Sequence, residues 1–250
     1  MKTLKLRPDN IHHGSLVLIN VDWPVREEPK AESLSLVEEE GAVLMDAQAA
    51  RMLAKLLLVV GGGDQIIAVS GFRTMNEQQA IYQSSLQENG ANFTRQFVAL
   101  PGCSEHQTGL AVDLAQNSDA IDFLRPSFPY TGICGRFRSK APDYGFVERY
   151  PEGREASTRI AHEPWHFRFV GYPHSKIITN EALTLEEYTD QIRTFDFEKQ
   201  RFLFRDNGVR CQIGFIRPQM MAEIEIPPRM AYQLSGNNAD GVVVTLWELG

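Results

Sequence analysis

Two short clusters hold the side chains best suited to chemistry in this sequence. The first reads Ser104-Glu105-His106-Gln107-Thr108-Gly109-Leu110-Ala111-Val112-Asp113, and the second reads Glu163-Pro164-Trp165-His166. A zinc ion that does chemistry takes three protein ligands and keeps one position for water. His106, Asp113 and His166 are ligands of the right kind, imidazole and carboxylate without thiolate, which is the donor set of a catalytic zinc. Glu163, close to the third of them, is free to act as a general base on water. Each part alone has a plainer explanation. A lone His-x6-Asp pair is more often incidental surface chemistry, Glu-x-x-His is weaker still, and Trp165 and Phe167 are more often core. The conjunction is what carries the inference.

Stepping outward, the elements around the clusters can bring them together. From Gly109 to Leu114 the residues alternate as in a half-buried strand, with Leu110, Val112 and Leu114 facing the core. Gly109 and Ala111 then leave room on the other face, and Asp113 projects above them. His106 precedes the strand and can bend back toward Asp113. The second cluster alternates too, with Phe167 and Phe169 on one face and His166, Arg168 and Val170 on the other. Two such strands side by side place His106, Asp113 and His166 at one metal. Pro164 breaks the ladder and lets Glu163 turn to the same side. Arg73, in Ser70-Gly71-Phe72-Arg73, reads equally as a solvated charge at a helix start or as a fork of donors for an oxyanion or carboxylate. Gln78 by itself reads as solvent-facing, and Ser104 as a turn residue.

Along the rest of the chain, residues 16–21 read as a first strand, followed by an irregular Pro- and Glu-rich stretch. Asp46 caps an expected helix from Ala47 to Val60, with Met52, Leu53, Leu56 and Leu57 on one stripe and Gly61-Gly62-Gly63 ending it. Residues 66–69 read as a buried strand. Thr74 and Glu77 form a capping box for a helix ending at Asn89-Gly90. Residues 91–102 then read as a loop beside the site, placed to act as a lid, and 126–142 carries no periodicity that assigns it. Thr184 and Glu187 suggest a further helix to about Lys199. From 201 onward the pattern alternates around the turns Asp206-Asn207-Gly208 and 237–241.

Composition narrows the class. The chain has 250 residues, 43% of them hydrophobic and 23% charged, an ordinary globular mixture long enough for one medium domain with a small appendage. A net charge of −7 with no cluster of Lys and Arg argues against a nucleic-acid partner. The charged N-terminal residues precede no apolar run, which gives no sign of a secretory signal. The longest apolar stretch, 53–60, is interrupted by Lys55, so no membrane anchor is expected. Three widely spaced cysteines, Cys103, Cys134 and Cys211, do not suggest a disulfide framework and read as small buried apolar residues. His12, His13, His162 and His174 lack partners at ligand spacing. A cytoplasmic protein is expected.

Taken together, Ser70-Gly71-Phe72-Arg73, Ser104-x-His106-x6-Asp113 and Glu163-x-x-His166 resemble the zinc D,D-peptidases of the VanX/VanY group. The likeness is closest to the bifunctional VanXY D,D-dipeptidase/D,D-carboxypeptidases, the VanG type included. It runs through residues 15–195 and is strongest from Gln96 to Asp113 and from Glu163 to Gly171. Residues 196–250 match nothing in the shorter members. The resemblance implies an α+β fold, a central antiparallel sheet with flanking helices as in the D-Ala-D-Ala metallopeptidase/Hedgehog architecture. The expected division is a catalytic domain at 1–195 and a β-rich extension at 196–250. It further implies that His106, Asp113 and His166 bind Zn²⁺, Glu163 is the base and Arg73 stabilises the oxyanion. Ser104 and Gln78 fall near the substrate. The implied substrates are D-Ala-D-Ala and D-Ala-terminated muramyl peptide precursors of peptidoglycan, whose loss gives glycopeptide (vancomycin) resistance. Two other readings remain at this point. A peptidoglycan endopeptidase of the same zinc family works on the cell wall and needs export. A zinc-stabilised binding module without catalysis would lack the base or the oxyanion partner, and both are present here.

Overall fold

In chain order the elements are strand β1 (Lys2–Leu6), strands β2 (Leu34–Leu36) and β3 (Leu44–Asp46), helix α1 (Ala47–Val60), strand β4 (Ile66–Ser70) and helix α2 (Met75–Phe97). Strand β5 (Ala111–Gln116), helix α3 (Gly132–Lys140), strand β6 (Phe146–Glu148), the single turn α4 (Glu155–Thr158) and strand β7 (His166–Phe169) follow. Helices α5 (His174–Asn180) and α6 (Leu185–Ile192) lead into strands β8 (Phe202–Asp206), β9 (Val209–Ile216), β10 (Ala222–Ile226), β11 (Met230–Gly236) and β12 (Val242–Glu248). The computed structural model describes residues 2–37, 42–218 and 222–249. The chain divides into two compact units, Ile19–Thr184 and Met1–Leu18 with Leu185–Gly250.

In the first unit an antiparallel sheet of order β4-β5-β7-β6 carries both motif clusters. Strand β5 buries Val112 and Leu114 as expected, but it is not half-buried, since Ala111, Asp113 and Ala115 on its other face are buried as well. It pairs with β7 so that Asp113 lies opposite His166 and Ala111 opposite Arg168. Helix α1 begins where its cap requires. Asp46 accepts from the backbone of Gln48 and Ala49 at 2.9 and 3.1 Å, and Gly61 ends the helix in the left-handed region at φ 66°. Leu53, Leu56 and Leu57 are buried, while Met52 is half-buried.

Three expectations need correction here. Gly90 breaks α2 at φ 79°, but the helix resumes and runs to Phe97. The Thr94 hydroxyl bonds the Gly90 carbonyl at 3.0 Å and the Ser85 hydroxyl at 2.8 Å, and Phe93 stacks on Phe97 with centroids 4.8 Å apart. These contacts tie the second segment down, so the loop beside the site is only 98–102 and the stretch does not form the expected lid. Residues 16–21 form no strand. Their backbone is anchored singly, Leu16 N–H to the Ser235 hydroxyl at 2.8 Å and Leu18 N–H to the Asn237 carbonyl at 3.2 Å. Cys134 and Cys211 are buried, whereas Cys103 is half-buried, and all three are free thiols.

The second unit holds a sheet of order β11-β12-β9-β8 and the pair β1-β10. Its core is Leu6, Phe197, Ile224, Ile226, Val242, Val244 and Leu246. The structural division thus falls at 184/185 rather than at 195/196, and the N-terminal strand belongs with the C-terminal ones. Five residue pairs join β1 to β10, a long-range pairing that no local pattern announces. Helix α6 also stops at Ile192, well short of Lys199. The backbone of Phe195 and Phe197 is taken up by Phe215 on β9, through bonds of 2.7 and 3.1 Å, and Phe197 enters the core.

Candidate metal centre and active site

Backbone geometry assembles the three expected ligands. His106 sits on a 3-10 turn, Glu105–Thr108, which Gly109 ends at φ 71°. A side chain at Gly109 would crowd the Asp46 amide at 3.0 Å on a left-handed backbone that strains other residues, so glycine is favoured there. Gly71 is equally constrained, because a Cβ would come within 2.2 Å of the Leu44 carbonyl. Its own carbonyl accepts from His106 Nδ1 at 2.7 Å, which leaves His106 Nε2 facing Asp113 Oδ2 at 3.2 Å. From the other side His166 Nδ1 meets Asp113 Oδ1 at 3.0 Å. One ligand atom from each of the three residues lies within 4.8 Å of the others, and all three residues are buried.

Glu163 reaches the same point. Residues 163–166 form a turn, with the His166 amide donating to the Glu163 carbonyl at 3.1 Å, so both side chains face one cavity. Glu163 Oε2 is 3.7 Å from His166 Nδ1. The Arg73 backbone N–H donates to the His106 carbonyl at 3.2 Å, and its Nη2 stands 3.9 Å from Asp113 Oδ2. Its buried Nε has no hydrogen-bond partner. The arginine therefore points into the site and not into solvent. Gln78, read from sequence alone as solvent-facing, is buried and donates to the Ala99 carbonyl at 2.8 Å, with its own Oε1 unpartnered. Ser104 is buried too, and both line the cavity of about 390 Å³ above the cluster, with Phe97, Val98 and Trp165 among its walls.

Burial sets the electrostatics. It pushes the Glu163 carboxyl up to about 8, reinforced by Asp113 and Glu105 and opposed by His166 and Arg73. Burial also pulls His106 down to about 4, with the Arg73 charge adding to it. Burial would raise Asp113, but the charges and hydrogen bonds of His106 and His166 overcome it and hold the carboxyl well below the usual range. For His166 burial disfavours the cation, yet the hydrogen bond to Asp113 and the neighbouring Glu105 and Glu163 carboxylates carry it up to about 9.

The residues present fit a divalent cation. The donor set is two imidazoles and a carboxylate, a combination that suits a catalytic zinc. Asp113 turns one oxygen to each histidine, and an arrangement of two rings converging on a buried carboxylate is what a shared cation would bridge.

Residues that the motif reading passed over complete the site. Glu105 is fully buried between Arg149 Nε at 2.8 Å and Arg168 Nη1 at 2.9 Å. A signal for it was present in the sequence. Strand alternation puts Arg168 on the face of His166, and a guanidinium on a buried face requires a carboxylate partner. Ala111, opposite Arg168, is small enough to admit it.

The fold and site define a class of metallopeptidase. The chain belongs to the VanY family, described as D-alanyl-D-alanine carboxypeptidases, whose family model matches residues 43–172. Among relatives, the bifunctional D-Ala-D-Ala dipeptidase and D-Ala-D-Ala carboxypeptidase VanXYC of Enterococcus gallinarum is 40% identical over 181 residues, 72% of this chain and 95% of that one. The crystal structure of the vancomycin resistance D,D-dipeptidase VanXYg, in complex with a D-Ala-D-Ala phosphinate analog, is 44% identical with a TM-score of 0.95. It covers 99% of each chain, so residues 196–250, unmatched in the sequence reading, have a counterpart there. The D,D-pentapeptidase VanY from the VanB-type resistance cassette, in complex with Zn(II), is 28% identical over 70% of this chain and 98% of that one, at a TM-score of 0.55. The α+β fold with its strand-rich C-terminal part agrees with these relatives. No described helix is long and apolar enough to cross a membrane.

Proposed function

We propose that this chain is a zinc D,D-peptidase that hydrolyses D-Ala-D-Ala and removes the terminal D-Ala from muramyl peptide precursors in the cytoplasm, and so confers glycopeptide resistance. One observation carries the reading: His106, Asp113 and His166 offer ligand atoms within 4.8 Å, with the Glu163 carboxylate 3.7 Å from His166. The named activities of the relatives supply the substrate class.

His106, Asp113 and His166 would hold Zn²⁺, which when bound supplies a Lewis acid that polarises the scissile carbonyl and acidifies water. Glu163 takes the proton of the attacking water as its oxygen bonds the carbonyl carbon. The Arg73 guanidinium neutralises the developing oxyanion. Glu163 then returns the proton to the nitrogen of the departing D-alanine as the C–N bond breaks. Burial favours the protonated form of the Glu163 carboxyl, which supports its holding the proton between the two halves of this transfer. Ser104 and Gln78 line the cavity, and the unpartnered Gln78 Oε1 supports a role for them in binding the substrate's polar groups.

The test is D-alanine release by the zinc-loaded protein from D-Ala-D-Ala and, separately, from a D-Ala-D-Ala-terminated muramyl pentapeptide. Release from both is expected. Release from one alone reduces the reading to a dipeptidase or a carboxypeptidase, and release from neither overturns it.

A further inference from the structure

We propose that Glu105 is a positioning residue that holds a proton on His166 Nε2 and thereby fixes Nδ1 as the ring atom offered to the metal. The inference rests on the zinc reading above and adds a residue that the reading does not use. His166 Nδ1 faces Asp113 at 3.0 Å and Glu163 at 3.7 Å, so the side of the ring toward the cavity is Nδ1. The other nitrogen, Nε2, points the opposite way, buried and without a hydrogen-bond partner, 3.6 Å from Glu105 Oε2. That oxygen is likewise buried and without a hydrogen-bond partner. A neutral imidazole that offers the Nδ1 lone pair to a cation carries its proton on Nε2. A buried N–H needs an acceptor, and Glu105 Oε2 is the atom that stands there.

Glu105 cannot turn away. Its Oε1 is held by Arg149 Nε at 2.8 Å and by Arg168 Nη1 at 2.9 Å, and both arginines are as buried as the carboxylate. Arg168 is two residues beyond His166 on β7, so one strand face carries both the ring and the clamp on its partner. His106 solves the same problem in the opposite sense, with Nδ1 against the Gly71 carbonyl and Nε2 toward Asp113. The two ligands thus have opposite tautomers. A buried cluster of one carboxylate and two guanidinium groups is a poor way to stabilise a core, because desolvation offsets most of the attraction. Its placement behind a metal ligand accounts for it.

Glu105→Gln is the informative substitution. With Arg149 Nε donating at the Oε1 position and the Arg168 guanidinium charge beside it, the amide oxygen settles there and the NH₂ faces His166 Nε2, donor against donor. Two measurements test the idea: ¹⁵N-histidine NMR of the zinc-loaded protein and zinc affinity by chelator competition. In the wild type, His166 is expected to show a protonated Nε2 and a metal-bound Nδ1. In the folded variant, zinc affinity is expected to fall on the order of 10–100-fold. A purely structural role for Glu105 would lower the melting temperature yet leave the affinity of the folded protein unchanged, and that result overturns the proposal. If the variant does not fold, the wild-type spectrum decides, and zinc held through Nε2 of His166 overturns the proposal equally. Failure of the wild type to bind zinc at all is distinguishable from these, since it sinks the metal reading and the inference with it.

Discussion

The floor of the candidate active-site cavity and the core of the C-terminal sheet are built on opposite principles. Around the candidate metal centre the chain buries Glu105, Asp113, Glu163, Arg149 and Arg168 together with two histidines. In the other unit the core cluster, Leu6, Phe197, Ile224, Ile226, Val242, Val244 and Leu246, has no charged side chain among its members. Its ion pairs lie outside, as with Lys5 and Glu223, whose side chains are 66% and 57% exposed. Apolar burial stabilises roughly in proportion to area, whereas buried charge costs desolvation that pairing only partly returns. A concentration of buried charge is therefore a sign of function, and the apolar sheet a sign of ordinary folding.

Substitutions sharpen or break that contrast. The largest effect is expected at Glu163. Glu163→Ala should cost turnover on the order of 10²–10⁴-fold while the protein keeps its zinc, because only the proton transfer is lost. Retained D-alanine release in a variant of normal zinc content would remove Glu163 from its role. In the apolar sheet the expected loss is of stability instead. Leu246→Ala should lower the unfolding free energy by about 2–5 kcal/mol in denaturant titration, as truncation in a packed core does. A loss confined to activity there would break the comparison.

A smaller effect is expected from acid. His174 is buried in the first unit, and burial lowers it from 6.5 to about 3. Between those values the unfolded chain binds a proton that the folded protein refuses, so stability falls as pH drops through this window and is fully retained above it. His174→Gln should make the stability slope between pH 4 and 6 shallower by about 1.4 kcal/mol per pH unit. Equal slopes in the two proteins would mean that His174 is protonated in the fold. The smallest effect is expected on the surface, where Lys5→Ala should change stability by about 0–1 kcal/mol, less in high salt. A larger loss would show that the exposed pairs of the C-terminal unit matter more than their exposure implies.

Much of this was present in local sequence. Asp46, Gly61 and the Thr74–Glu77 pair mark helix ends through hydrogen bonds between near neighbours, and the structure places the ends there. Strand alternation put Asp113 on the face opposite Val112 and His166 on the face opposite Phe167 for the same reason, since a pleat repeats every two residues. The residues after Gly90 were misread because what holds them helical is contact: Thr94 back to Ser85 and Phe97 against Phe93. Residues 16–21 have the composition of a strand but pair with no strand among the described residues.

What the sequence alone determined was the set of chemical groups and their local faces: two imidazoles, two carboxylates and a guanidinium, each at a spacing that backbone periodicity converts into direction. Only the tertiary structure decided that Asp113 pairs opposite His166 and that β1 joins β10. It alone turned Gln78 inward and set Glu105 between Arg149 and Arg168. These are contacts between residues far apart in the chain. Their free energy depends on which surfaces lose water together, and that is a property of the folded chain rather than of any stretch of it.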